Sequence, residues 1–175
     1  MKKVFYAILI LIALYFVLGL FGPREIKAER SIVINAPAQV VLVKLGDFQY
    51  FHEKWSPWTE KDPDMKTTFT GVPGTPGHLY AWTGNDDVGN GEMKLERYSG
   101  DSLVQMLSFE GQGQSMAYFI VKDQGNSSHV TWGMHFDVGF MFRTPMLFVD
   151  FGDMIGEDYE KGLARLKHIL EEEEK

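Results

Sequence analysis

Between Thr144 and Leu170 apolar residues recur at helical spacing, and this stretch constrains the fold more than any other. At about 100° per residue, Phe148, Phe151, Ile155, Tyr159, Gly162, Leu163, Leu166, Ile169 and Leu170 fall within one arc of roughly 120°. Asp150, Asp153, Glu157, Glu160, Lys161, Lys167 and His168 fall on the other side. The pattern predicts one long amphipathic helix. Thr144 is expected to cap it, with Pro145 at the first helical position, where a missing N–H costs nothing. Gly152 and Gly156 are expected to bend it early. Gly162 sits in mid-stripe, where it serves either close helix–sheet packing or a gap for a ligand. So broad a stripe needs a sheet to lie on.

The preceding chain supplies one. Residues 27–35 read as a first strand, with Ile32 and Ile34 on one face. Ala36-Pro37 opens a short helix with an apolar side of Val40, Val41 and Leu45, stopped by Gly46. Asp47 can cap a second short helix carrying Phe48, Tyr50 and Phe51, which cannot pass Pro57. Six strands follow, at residues 65–70, 78–83, 92–98, 103–110, 116–123 and 129–138, with Gly-, Asn- and Pro-rich turns between them. In the last, Val130, Trp132, Met134, Phe136 and Val138 alternate with His129, Thr131, His135 and Asp137. Short connections make successive strands antiparallel. The expected fold is therefore α+β. A strongly twisted seven-stranded antiparallel sheet curls around the long C-terminal helix, with two short helices after strand 1. The acidic tail Glu171–Glu174 opposes the helix dipole and is expected to fray.

The N-terminus is of another kind. From Val4 to Phe21, 18 residues run without a charge behind Lys2 and Lys3, just enough to cross a bilayer. Leu18-Gly19-Leu20-Phe21 offers no small-residue cleavage site, so an uncleaved single-pass anchor is expected rather than a signal peptide. The expected division is residues 1–23 as transmembrane anchor and residues 24–175 as a folded domain. Lys2 and Lys3 favour the cytoplasm for the short end, Arg24, Lys27 and Arg30 pull the other way, and the domain is placed outside the cytoplasm. A formal charge of −7 with no basic face argues against nucleic acid as a partner. The absence of cysteine excludes disulfides, thiolate metal sites and cysteine nucleophiles.

Several segments resemble a known family: Glu29-Arg30-Ser31-Ile32-Val33-Ile34-Asn35-Ala36-Pro37, Trp55-Ser56-Pro57-Trp58, Gly84-Asn85 with Gly89-Asn90-Gly91, Val130-Thr131-Trp132, and Tyr159-Glu160-Lys161-Gly162-Leu163. In their order and spacing they resemble the START-like (SRPBCC) superfamily, in its polyketide cyclase/dehydrase and lipid-transport branch, from about residue 27 to residue 170. The resemblance implies the helix-grip fold, in which the sheet wraps the C-terminal helix around a hydrophobic cavity. It carries no shared catalytic motif, because the superfamily holds carriers, receptors, cyclases and chaperone cofactors.

The residues themselves offer no catalytic set. His52, His78, His129, His135 and His168 show no metal-ligand spacing, and neither a metal nor a cofactor is expected. No G-x-S-x-G elbow or phosphate loop is present, and Asp137 and Glu92 alternate outward. His78 shares a strand face with Tyr80 and Trp82 and is expected at a cavity rim, orienting rather than transferring protons. The expected cavity lining is Trp58, His78, Tyr80, Trp82, Phe119, Trp132, Phe136, Ile155, Tyr159 and Gly162, suited to a flat or lipid-like ligand. The expected function is a membrane-tethered binding domain for a hydrophobic small molecule or lipid. A cyclase/dehydrase-type enzyme using the same cavity, or a chaperone-cofactor-like interaction module, are the alternatives.

Overall fold

The computed structural model describes residues 2–111 and 113–173. Helix α1 (Lys2–Gly19) leads into β1 (Glu25–Ile34), followed by α2 (Ala38–Leu45) and α3 (Phe48–Tyr50). Strands β2 (Lys66–Thr70), β3 (Leu79–Thr83), β4 (Asn90–Ser99), β5 (Ser102–Phe109), β6 (Gly113–Asp123) and β7 (Ser128–Asp137) come next, and then α4 (Phe151–Glu173). The seven strands form one antiparallel sheet in the order β1-β7-β6-β5-β4-β3-β2. Short turns make β2 to β7 a meander, and β1 adds beside β7 with Glu25 opposite Asp137. The α+β architecture expected from the periodicities, and the helix-grip fold that the resemblance implies, are thus present. A register shift between Leu95 and Arg97 in β4 adds local bend and twist.

Burial follows the alternation. Leu95, Leu103, Phe119, Val121, Val130 and Trp132 form the inner face of the sheet, and Tyr159, Leu163, Leu166 and Leu170 of α4 lie buried against it. Each such side chain contributes on the order of 1.5–3 kcal/mol by leaving water. Helix α2 closes one end through Val41, Leu42 and Leu45. Asp47 caps α3 by accepting from the Tyr50 N–H at 3.0 Å. The chain then makes a single π-helical turn, Phe51–Trp55, before Pro57 ends it.

Three findings bear on these expectations. The long helix begins at Phe151, not at Thr144. Pro145–Leu147 forms only an isolated 3₁₀ turn. The cap is Asp150, whose Oδ1 accepts from the Asp153 N–H at 3.0 Å, while the Thr144 hydroxyl donates to the Tyr15 carbonyl at 2.7 Å. Phe148, assigned to the buried stripe, is consequently 77% exposed. Secondly, Gly152 and Gly156 mark close approaches inside a continuous helix. A Cβ on Gly152 would lie 2.8 Å from the Lys27 carbonyl oxygen, and one on Gly156 would strike the Arg30 guanidinium. Arg30 in that notch donates to Glu160 at 2.5 Å and Asp153 at 2.6 Å. Thirdly, α4 runs through Glu173, and Glu171 accepts from the Asn35 N–H at 2.9 Å instead of fraying. Glu174 and Gln112, part of the expected tail and of one expected turn, lie outside the described residues.

Helix α1 is long and apolar enough to cross a membrane, by length and composition. Its 18 residues span about 27 Å at roughly 1.5 Å each.

Candidate functional site

Trp132, at the middle of β7, organises the space between sheet and helix. Its ring stacks on Tyr159 of α4 with centroids 3.8 Å apart and planes 7° from parallel. Phe119 of β6 lies 5.1 Å away, Trp55 5.5 Å and Trp58 5.9 Å. The segment 55–58 is held there by Arg165 of α4, which donates to the Ser56 carbonyl at 3.2 Å and pairs with Glu60 at 2.5 Å. Gly162 faces this cluster. A Cβ there would sit 2.9 Å from Trp132 Cζ3 and 3.3 Å from Pro57 Cδ, so at this position helix and indole are in direct contact.

A second aromatic group belongs to β3. Tyr80 stacks on Phe69 at 5.1 Å and lies 5.2 Å from Trp82, whose other neighbour is Phe109 at 5.7 Å. Phe51 links the two groups, at 6.5 Å from Tyr80 and 6.2 Å from Trp132. The structure therefore brings Trp58, Phe119, Trp132, Tyr159 and Gly162 together, and sets Tyr80 and Trp82 beside them. Trp82, Phe109, Phe136 and Ile155 are half-buried and pack on the rim of this core. The strand register puts three of them at one end of the sheet. Trp82 pairs with Gly91, Gly91 with Phe109, and Phe136 with Ile26, all at the end where β1 leaves α1.

His78 is not at a rim. It precedes β3, is 2% exposed and stacks on Phe48 at 4.7 Å. The Phe48 N–H donates to Nε2 at 3.3 Å, and Nδ1–H donates to the Thr70 carbonyl at 3.0 Å. Both ring nitrogens serve the backbone, so His78 joins α3 to the β2–β3 turn.

Sequence reasoning passed over His52. Its Nδ1 lies 3.3 Å from the Tyr80 hydroxyl. Thr59 Oγ1 lies 3.3 Å from the same nitrogen and donates its own proton to the His52 carbonyl at 2.8 Å. Burial pushes the His52 imidazole below its ordinary value, against a smaller opposing pull from Glu53. Burial likewise pushes the Tyr80 phenol well above its own. Phe51 and Trp55 were missed as lining residues too. A legible signal existed: Phe48, Phe51, Trp55 and Trp58 recur at helical spacing.

Four polar groups break this apolar interior. The indole N–H groups of Trp55 and Trp132 are buried and without an acceptor among the described residues, as is that of Trp82. An orphan donor of this kind costs about 1–3 kcal/mol until something accepts from it. Gln105 contributes a side-chain amide, 2% exposed, on the inner face of β5 between Leu103 and Leu107. The arrangement gathers flat aromatic rings and a few N–H donors in one interior between sheet and helix.

A family model described as polyketide cyclase/dehydrase and lipid transport matches residues 25–171. The chain belongs to that family. The polyketide cyclase/dehydrase and lipid transport match spans β1 to the last turns of α4 and leaves α1 outside. No curated protein matches the sequence. Among solved structures, a protein from Thermobifida fusca superposes with a TM-score of 0.57 at 23% identity, over 81% of this chain and 90% of its own. The Aha1 dimer from Colwellia psychrerythraea gives 0.59 at 17% identity, over 83% and 96%. A Thalictrum norcoclaurine synthase point mutant bound to a transition-state analogue gives 0.59 at 11%, over 86% and 97%. At these identities the likeness is one of fold, that of the START-like (SRPBCC) proteins. Membership of the family is consistent with a ligand-binding domain.

Proposed function

We propose that this protein is a membrane-tethered binding domain for a hydrophobic small molecule or lipid. Residues 1–23 are the tether, residues 24–175 the binding domain, and the domain lies on the extracytoplasmic side. The ligand sits between sheet and α4, against Trp58, Tyr80, Trp82, Phe119, Trp132, Phe136, Ile155 and Tyr159. One observation supports the reading: buried indole donors with no acceptor among the described residues, in a largely apolar aromatic interior. A ligand with a carbonyl, ester or ether oxygen offsets the cost of those donors while its apolar body covers the rings. The half-buried Trp82, Phe109 and Phe136 mark where it enters.

The test is extraction of small molecules from full-length protein purified in mild detergent, with identification by mass spectrometry. Tryptophan emission is followed as the extracted compound is added back. A stoichiometric apolar compound that shifts this emission supports the proposal. An empty extract, and emission indifferent to a panel of fatty acids, phospholipids and flat polycyclic compounds, overturn it.

A cyclase-type reaction in the same interior is the second reading, favoured by the Tyr80–His52 contact, a phenol 3.3 Å from an imidazole that burial holds below its ordinary value. Turnover of a bound compound that falls about a hundredfold or more in His52→Gln, the scale of general acid–base catalysis, with binding retained, would establish it.

A further inference from the structure

Chain leaving β7 does not cross open solvent to reach α4. It folds back over the end of α1. Phe140 stacks on Phe16 with planes 7° apart and centroids 6.1 Å apart. The Tyr15 hydroxyl donates to the Met141 carbonyl, and the Thr144 hydroxyl returns a bond to the Tyr15 carbonyl at 2.7 Å. A Cβ on Gly19 would lie 3.2 Å from Thr144 Oγ1, and one on Gly22 would collide with the Arg143 backbone. The contact is therefore close-packed and includes the last turn of the helix.

What this segment shows to its surroundings is apolar. Phe142 is 64% and Phe148 77% exposed, and Met141, Leu147 and Val149 are exposed as well. Residues 138–149 contain one charged side chain, Arg143. Its Nε donates to the Val138 carbonyl at 3.2 Å and its guanidinium lies 5.7 Å over the Phe140 ring. The apolar surface is continuous with Leu20 and Phe21, also exposed, and through them with α1. Contiguous apolar surface of this kind marks a contact site.

We infer that residues 139–149 are a second membrane contact, a loop that enters the bilayer interface beside α1. The inference rests on α1 being a membrane anchor. Given that, depth follows from geometry. Tyr15 and Phe16 lie three to four residues before the end of α1 at Gly19, about 5–6 Å along its axis. Phe140 is stacked at that level. Apolar faces of interfacial segments reach roughly 5–10 Å below the headgroups. Backbone entering that zone must satisfy its own polar groups, and four N–H groups of this loop find acceptors within it, in two 3₁₀ turns. Phe142 N–H donates to Gly139, Arg143 to Phe140, Leu147 to Thr144 and Phe148 to Pro145. Arg143 is placed to reach lipid phosphate along the aromatic face of Phe140.

Two attachments fix the orientation of the domain where one would leave it swivelling. A groove of about 510 Å³, lined by Pro23, Ile26 and Phe148 and by the charged Glu25, Lys27 and Asp150, then opens at headgroup level. The sheet end carrying Trp82, Phe109 and Phe136 faces the membrane, so an apolar ligand passes between bilayer and interior without crossing bulk water.

The chain has no cysteine, so one introduced thiol is unique. Four full-length variants are labelled with an environment-sensitive fluorophore: Phe142→Cys, Phe148→Cys, Ile10→Cys in mid-α1, and Asn126→Cys in the β6–β7 turn at the far end of the sheet. Each is reconstituted into phosphatidylcholine–phosphatidylglycerol vesicles with and without nitroxide-labelled lipid. Phe142 and Phe148 are exposed and sit on different turns, so each site gives an independent reading without disturbing the core. Blue-shifted emission quenched by nitroxide lipid is expected at 10, 142 and 148, and neither effect at 126. Aqueous emission at 142 and 148 with quenching at 10 would overturn the inference and leave the anchor standing. Aqueous emission at all four sites would remove both. A surface kept for a protein partner would also read as aqueous in these vesicles, and so would count against the loop.

Discussion

Trp132 and Tyr159 stack face to face, 3.8 Å between centroids, and so join the last strand to the C-terminal helix at the centre of the grip. Both rings are buried, Tyr159 to 1% exposure. Tyr159→Ala is expected to cost about 3–5 kcal/mol, the range for deleting a buried aromatic ring. Tyr159→Phe keeps the ring area and is expected to retain most of the stability. Chemical denaturation of both variants in detergent, read by tryptophan emission, checks this; equal losses would show that the hydroxyl, not the stack, matters.

Gly162 tests whether the helix meets the sheet or a ligand at this point. Its missing Cβ would sit 2.9 Å from Cζ3 of the Trp132 ring, which is itself stacked on Tyr159. Gly162→Leu is therefore expected to overpack the core and cost roughly 1–3 kcal/mol despite its better helix propensity. A raised melting temperature together with lost binding of an apolar fluorescent probe would instead place open space there.

His78→Ala is expected to leave ligand binding intact and to lower stability. The change orphans the buried Phe48 N–H, a penalty of about 1–3 kcal/mol, and removes a ring stacked at 4.7 Å on Phe48. Melting temperature and probe affinity, measured on the same sample, separate the two effects.

His52 gives the domain a defined acid response. Its folded-state value is depressed by burial below the ordinary 6.5. The unfolded chain therefore binds the proton more readily, and the contribution of this group is complete above about pH 6.5 and lost as pH falls below it. His52→Gln should flatten the fall of melting temperature as pH drops below about 6.5, relative to the parent. Identical slopes would show that the ring protonates freely in the folded state.

Much of this could be read from the chain alone because the signals are local. Period-two alternation in residues 129–138 follows from pleated backbone, and a 3.6-residue stripe follows from helical backbone. Neither needs knowledge of a partner. The count of strands, their antiparallel order, the closing helix and the apolar N-terminal helix were all legible in this way, and the family motifs pointed to the same architecture.

What only tertiary structure decided was the partner and depth of each group. Periodicity placed His78 on a face with Tyr80, but the fold turns His78 onto the Phe48 backbone and gives His52 to Tyr80 instead. The helical stripe ran on through Phe148, yet Asp150 caps the helix and the apolar residues before it turn outward beside α1. Gly162 left two readings open until Trp132 was seen against it. In each case the deciding neighbour lies far away in the chain. A side chain's pattern reports the local backbone angles, whereas its burial and hydrogen bonds depend on what the fold carries to it from elsewhere.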